Sequence, residues 1–99
     1  MKNILGKLNP VFENRVRLAI MSVLAVSDSA DFNALKRMLE VTDGNLATHM
    51  AVLEKHRYVR VNKEFVKRKP QTTYAITVTG RKAFADHVDG LESILRAGK

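Results

Sequence analysis

The sequence predicts a mainly helical α+β domain with one β-hairpin, in the order helix, short strand, helix, helix, strand, strand, helix. Three observations carry this. Apolar residues recur at spacings of three and four up to about His56, and again after Thr77. Between Tyr58 and Ile76 the pattern changes to alternation, the period of a half-buried strand. Each helical run also opens on an Asn or Thr placed to cap it: Asn9, Asn33, Thr42 and Thr77.

Asn9-Pro10 starts the first helix, with Pro10 in the first turn, where a missing N–H costs nothing. Phe12, Val16, Ala19, Ile20, Val23 and Leu24 then form one stripe, while Val11, Leu18 and Met21 lie away from it. Apolar material for two faces fits either a helix buried within its own domain or one that also meets a partner subunit. Ile4, Leu5 and Leu8 just ahead favour the partner.

Ser27-Asp28-Ser29 reads as a turn and Ala30-Asp31-Phe32 as a very short extended piece. Asn33 caps a second helix over Ala34 to Glu40, which buries Leu35, Met38 and Leu39. Val41-Thr42-Asp43-Gly44 breaks it. The third helix runs from about Asp43 to His56 behind Thr42, with Leu46, Met50 and Leu53 inward. Strands over Tyr58–Lys63 and Thr72–Ile76 enclose the basic, proline-bearing segment Glu64–Gln71. The last helix runs from about Val78 to Leu95 with Phe84, Val88, Leu91, Ile94 and Leu95 along one side, and Gly90 weakens it internally. Two short helices joined by a tight turn and followed by a hairpin make a winged helix-turn-helix. With 99 residues, no Gly/Ser/Pro-rich linker and no internal repeat, residues 1–99 read as one domain.

The formal net charge is +7, and its placement is informative. Lys55, Arg57, Arg60, Lys63, Lys67, Arg68 and Lys69 are opposed only by Glu64, so this window carries +6 of it. The overall balance favours a polyanionic partner, nucleic acid or an anionic membrane surface, and its concentration fits a docking surface better than scattered exposed lysines. Cysteine is absent, which excludes disulfide scaffolds, thiol chemistry and thiolate metal sites. His49, His56 and His87 fall in no nucleophile or metal pattern, so neither catalytic residues, a metal nor a cofactor is expected. No apolar run approaches a membrane span, and the N-terminus lacks the apolar core of a secretory signal. The expectation is a cytoplasmic protein that does not enter membranes and is not an enzyme.

Duplex DNA offers phosphates, met by Lys/Arg, hydroxyls and amides, and base edges, reached by an element slim enough for the major groove. With its core stripe inward, the third helix shows Gly44, Thr48, Ala51, Val52 and Lys55, with Asn45 on the shoulder and Thr42 at its start. Asn45 suits an adenine edge or a phosphate, and Thr48 a base or a thymine methyl. For His49, packing and phosphate contact are equally compatible; Val52 meets a thymine methyl or is simply tolerated. Lys67, Arg68 and Lys69 at the hairpin tip suit the minor groove and its flanking phosphates, with Gln71 and Thr72 adding neutral hydrogen bonds.

The chain also resembles the small winged-helix transcription regulators related to the MarR and ArsR factors. The resemblance rests on Gly44-Asn45-Leu46-Ala47-Thr48-His49-Met50, Leu53-Glu54-Lys55, Arg68-Lys69-Pro70-Gln71-Thr72-Thr73-Tyr74 and Ile76-Thr77-Val78-Thr79-Gly80-Arg81. It implies a homodimeric regulator with the third helix in the major groove, the wing alongside, and the first and last helices building the dimer. Wings of that kind usually carry a tip glycine; here Val66-Lys67-Arg68 has none, leaving the form of the turn open. The rival reading is a winged helix that binds protein, for which exposed aromatics on the third helix would be expected. RNA is disfavoured by the lack of an aromatic stacking platform. No residue set points to a small-molecule effector.

Overall fold

The computed structural model describes residues 2–98, of which 2–4 by backbone alone; Met1, Lys99 and the Ile4 side chain grouped above with Leu5 and Leu8 lie outside it. The elements are α1 (Lys2–Lys7), a 3₁₀ turn (Pro10–Phe12), α2 (Arg15–Ser27), β1 (Ser29–Asp31), α3 (Phe32–Leu39), α4 (Asp43–Lys55), β2 (Val59–Val66), β3 (Lys69–Ile76) and α5 (Val78–Ala97). Helix α1 was not anticipated.

The start of the long first helix differs from expectation. Asn9 does cap, its Oδ1 accepting from the Val11 N–H at 3.0 Å, but only the single 3₁₀ turn follows. The chain then becomes extended at Asn14 (φ −137°, ψ 128°), whose Oδ1 accepts from the N–H groups of Val16 and Arg17 at 3.0 and 3.1 Å. An asparagine in a helix interior competes for backbone donors, and here it starts a new helix. Helix α3 likewise begins one cap earlier than expected: the Asp31 carboxylate accepts from the Ala34 N–H at 2.7 Å, so Asn33 lies inside the helix and exposed. Thr42 caps α4 as the sequence indicates, accepting from the Asn45 N–H at 3.1 Å.

The apolar excess of α2 is used internally. Ile20, Met21 and Leu24 are fully buried and Leu18 packs against the same core, because this helix meets α3, α4 and the sheet from several directions. Phe12, Leu35, Leu46, Met50 and Leu53 complete the center. Each contributes about 1.5–3 kcal/mol by leaving water, and truncating Leu24 to alanine costs about 3 kcal/mol. Met38, expected inside, is instead exposed.

The antiparallel sheet has the order β1-β3-β2. Its hairpin is longer and its turn tighter than the sequence suggests. Pairing runs from Val59↔Ile76 to Val66↔Lys69, leaving Lys67 and Arg68 as a two-residue turn. Both adopt left-handed backbone conformations, φ 53° and 68°, the requirement of a type I′ turn. The register therefore closes without glycine, at a conformational cost to two L-residues.

A tight joint locks the hairpin to α5. Thr77 donates its hydroxyl to the Arg57 carbonyl at 2.7 Å and accepts from the Gly80 N–H at 2.9 Å. A Cβ on Gly80 would lie 2.1 Å from the Tyr58 carbonyl oxygen, so only glycine lets α5 approach. Arg81 then reaches the Ala25 carbonyl at 3.0 Å and Asp28 at 2.6 Å. Helix α5 continues through Gly90, where Lys7 and Leu8 pack close. Of its expected stripe, Phe84, Val88 and Ile94 are half-buried, while Leu91 and Leu95 are exposed.

Candidate nucleic-acid interface

Helix α4 buries Leu46, Met50 and Leu53 and turns Gly44, Asn45, Ala47, Thr48, Ala51 and Lys55 outward. Ala47 belongs to this face and was missed; one small residue beside Thr48 keeps the helix surface shallow there. Thr42 is exposed, and with its oxygen accepting from the Asn45 N–H its hydroxyl proton stays available to donate. Asp43 would place a carboxylate at this end, but Lys36 of α3 pairs with it at 2.8 Å.

Thr42, Asn45 and His49 share a shallow hollow with Asn14 and Arg15 at the start of α2. Val52 departs from the sequence reading. It is half-buried and faces Pro10, Val11 and Tyr58 rather than joining the open face of Asn45 and Thr48.

Arg17 donates from Nη1 to His49 Nδ1 at 2.9 Å and from Nε to the Val11 carbonyl at 2.6 Å. Because a guanidinium only donates, His49 Nδ1 must carry a lone pair and the ring proton sits on Nε2. Burial, aided by the Arg17 charge, holds the His49 pKa below the ordinary histidine value. Arg15 and Arg17 were absent from the sequence-derived set. Recognising Asn14 as the cap would have placed both in the first turn of α2, beside α4.

At the wing, Lys67, Arg68 and Lys69 are exposed. Gln71 and Thr72 are half-buried and stand back from the tip, lining a groove against Asn33 and Arg37 of α3. Among the described residues, ion pairs involve Lys7, Lys36, Arg81, Lys82 and Arg96. None involves the seven basic side chains between Lys55 and Lys69. That charge is left unneutralised by the protein itself.

Residues 16–95 match the model of the winged helix DNA-binding domain. The chain belongs to this family. This winged-helix domain is 36% identical over 78 residues to the uncharacterized protein MJ0432 of Methanocaldococcus jannaschii, an alignment spanning 79% of the present chain and 85% of that protein. Its fold superposes on the transcriptional regulator homologue of Pyrococcus horikoshii with a TM-score of 0.87 at 30% identity, covering 97% of this chain and 93% of that one. Bacillus subtilis YusO shares the fold at a TM-score of 0.73 and 14% identity, with 97% and 70% coverage.

Among the described residues of the winged-helix domain no group of three or more His, Cys, Asp or Glu side chains is placed to hold a metal ion. No helix among them is long and apolar enough to cross a membrane.

Proposed function

We propose that this winged-helix domain is a sequence-reading, double-stranded DNA-binding transcription regulator acting as a homodimer. The observation that carries the reading is the unpaired cationic window on the hairpin beside the open, small-residue face of α4. In this reading α4 enters the major groove. Asn45 and Thr48 read base edges, while Thr42, Lys55, His49 Nε2–H and the backbone at Gly44 meet phosphates. Lys67, Arg68 and Lys69 lie along the adjacent minor groove, with Gln71 and Thr72 behind them. Arg15, beside Thr42 and Asn45, adds a phosphate contact. Val52, half-buried, supports α4 from behind.

The apolar surface that supports a dimer lies on α5 and α1 rather than on α2. The second apolar face of α2 is consumed by the core, whereas Leu91 and Leu95 of α5 are 39% and 70% exposed and Leu5 of α1 is 56% exposed. A pair of such helices would bury these leucines, and a dimer reading an inverted repeat needs its two α4 helices about one DNA turn apart.

The test is fluorescence anisotropy with the region upstream of the protein's own gene, beside a random duplex of equal length, at several salt concentrations. Selective binding with a steep salt dependence is expected. Failure to bind any duplex at low salt would overturn the reading. Sedimentation of the protein with its selected site tests the dimer, and a monomer on that site would refute it.

A further inference from the structure

The wing carries an apolar pair in the middle of its charge. Phe65 is 78% exposed, and the residue paired with it across the ladder is Pro70, also exposed. Side chains alternate along a strand, so Phe65 lies on the same sheet face as Val59 and Val61, and Pro70 on the face of Tyr74 and Ile76. Val59, Tyr74 and Ile76 are buried against the helices. Phe65 and Pro70 therefore extend the core-side face of the sheet past the end of the core.

Strand geometry makes this pair a defined unit. The ladder closes with Val66↔Lys69 at a two-residue turn, so hydrogen-bonded pairs alternate from there and Phe65↔Pro70 falls on a non-hydrogen-bonded one. The Ile76 N–H, which donates to Asp28 at 3.1 Å on the opposite side, agrees with that alternation. In such pairs opposing side chains stand nearest, with Cα atoms about 4.5 Å apart. The imide nitrogen of Pro70 faces the edge that β1 leaves open, since β1 ends at Asp31↔Thr73. Beyond Thr73 only two strands continue: Gln71 and Thr72 are still half-buried near α3, and past them the exposed Phe65 stands opposite the exposed ring of Pro70.

Lys63, Lys67, Arg68 and Lys69 each lie within two positions of Phe65 or Pro70 in the chain, and none of them is in an ion pair. β-propensity accounts for an aromatic residue in a strand but gives it no reason to face water. A partner that satisfies both features must be polyanionic at the rim and apolar within. Duplex DNA is so built: phosphates flank the minor groove, and base faces lie between stacked steps.

We propose that Phe65, backed by Pro70, is an apolar wedge that enters the minor groove beside the site and partly unstacks one base step, bending the duplex. The inference rests on the DNA-binding reading above and adds to it a source of specificity. Side chains of this kind unstack and kink DNA. Pyrimidine–purine steps yield most easily, so the wing selects such a step without hydrogen-bonding its bases.

The experiment uses the duplex that the intact protein binds most selectively, with dyes at its two ends and 2-aminopurine placed in turn at each step of the wing-side flank. The wild-type protein is expected to bring the ends closer and to raise 2-aminopurine fluorescence at one step. Phe65→Ala, whose thermal melt should match wild type because the ring is exposed, is expected to bind through its remaining contacts with both signals lost. Phe65→Leu should restore part of each. Bending and unstacking by Phe65→Ala equal to wild type would overturn the wedge. Selective wild-type binding with neither signal would also overturn it and leave the DNA-binding reading standing. No selective wild-type binding at all would overturn that reading, and the wedge with it.

Discussion

Arg17 joins the start of α2 to the middle of α4: its Nη1 lies 2.9 Å from His49 Nδ1, while its Nε is anchored 2.6 Å from the Val11 carbonyl oxygen. The guanidinium thereby fixes both the position and the tautomer of His49, leaving Nε2–H as a donor. Removing the clamp should free the ring. In Arg17→Met the His49 pKa is expected to rise toward the ordinary histidine value of about 6.5, because a positive neighbour and a donor to its lone pair are both gone. An NMR titration of the ring protons checks this, and an unchanged pKa would show that Arg17 does not hold His49 in solution.

His87 predicts an acid-sensitive fold. It is buried, its Nδ1 accepts from the Asn9 N–H at 2.9 Å, and its ring meets Phe12 edge-on at 5.4 Å. Burial lowers its pKa, partly opposed by Glu13. Since folding disfavours the protonated form of His87, the unfolded chain binds more protons just below pH ~6.5, and stability rises with pH there. The contribution is complete above about pH 6.5 and is lost as pH falls toward the depressed folded value. His49 acts in the same direction. Urea unfolding at about pH 7.5 and about pH 5.5 should show lower stability in acid, with a shallower dependence in His87→Gln.

The wing turn sets stability against binding. Lys67 and Arg68 both hold left-handed backbones, a conformation that Asn and Gly adopt at less cost. Replacing the pair with Asn-Gly should stabilise the fold by about 1 kcal/mol while weakening DNA binding, because two cations leave the tip. Thermal melts and anisotropy together test this, and equal DNA affinity would mean that the tip does not touch the duplex.

Gly80→Ala should be among the most damaging single changes in the chain. The added methyl would meet the Tyr58 backbone at 2.1 Å, and backbone cannot swing aside as a side-chain end would. A loss of about 3 kcal/mol in the urea midpoint analysis is expected. Tolerance of alanine there would show that α5 does not seat on the hairpin this closely.

Substitutions on α4 and on the wing should differ in kind. Alanine at Lys67, Arg68 and Lys69 together should weaken binding to all duplexes alike and lower the salt slope by up to about 0.9 per lost phosphate contact. Alanine at Asn45 or Thr48 should instead relax sequence preference, read by competing the selected site against single-base variants. A uniform loss from Asn45→Ala would assign that residue to the backbone rather than to a base.

What is legible in the chain alone is whatever depends on near neighbours along it. Thr42 followed by Leu46, Met50 and Leu53 states where α4 starts and which side it buries, because a cap and a helical stripe act within a few residues. The alternation after Tyr58 states the hairpin for the same reason, and the cluster of uncompensated cations on it needs no coordinates to be counted. Even there a local competition intervenes: Asn9 and Asn14 both cap, and the stripe from Phe12 to Leu24 hides the break at Asn14, where a new helix begins.

Which distant groups meet depends on how the elements pack. Arg17 and His49 are 32 positions apart, Asn9 and His87 are 78 apart, and the seat for Gly80 is the backbone of Tyr58. The two faces of α2, the exposure of Leu91 and Leu95, and the placement of Phe65 beyond the core depend equally on how the elements dock. Periodicity says that a helix has an apolar side. What covers that side is settled by the closing of the core, where the burial of many groups at once outweighs any local preference.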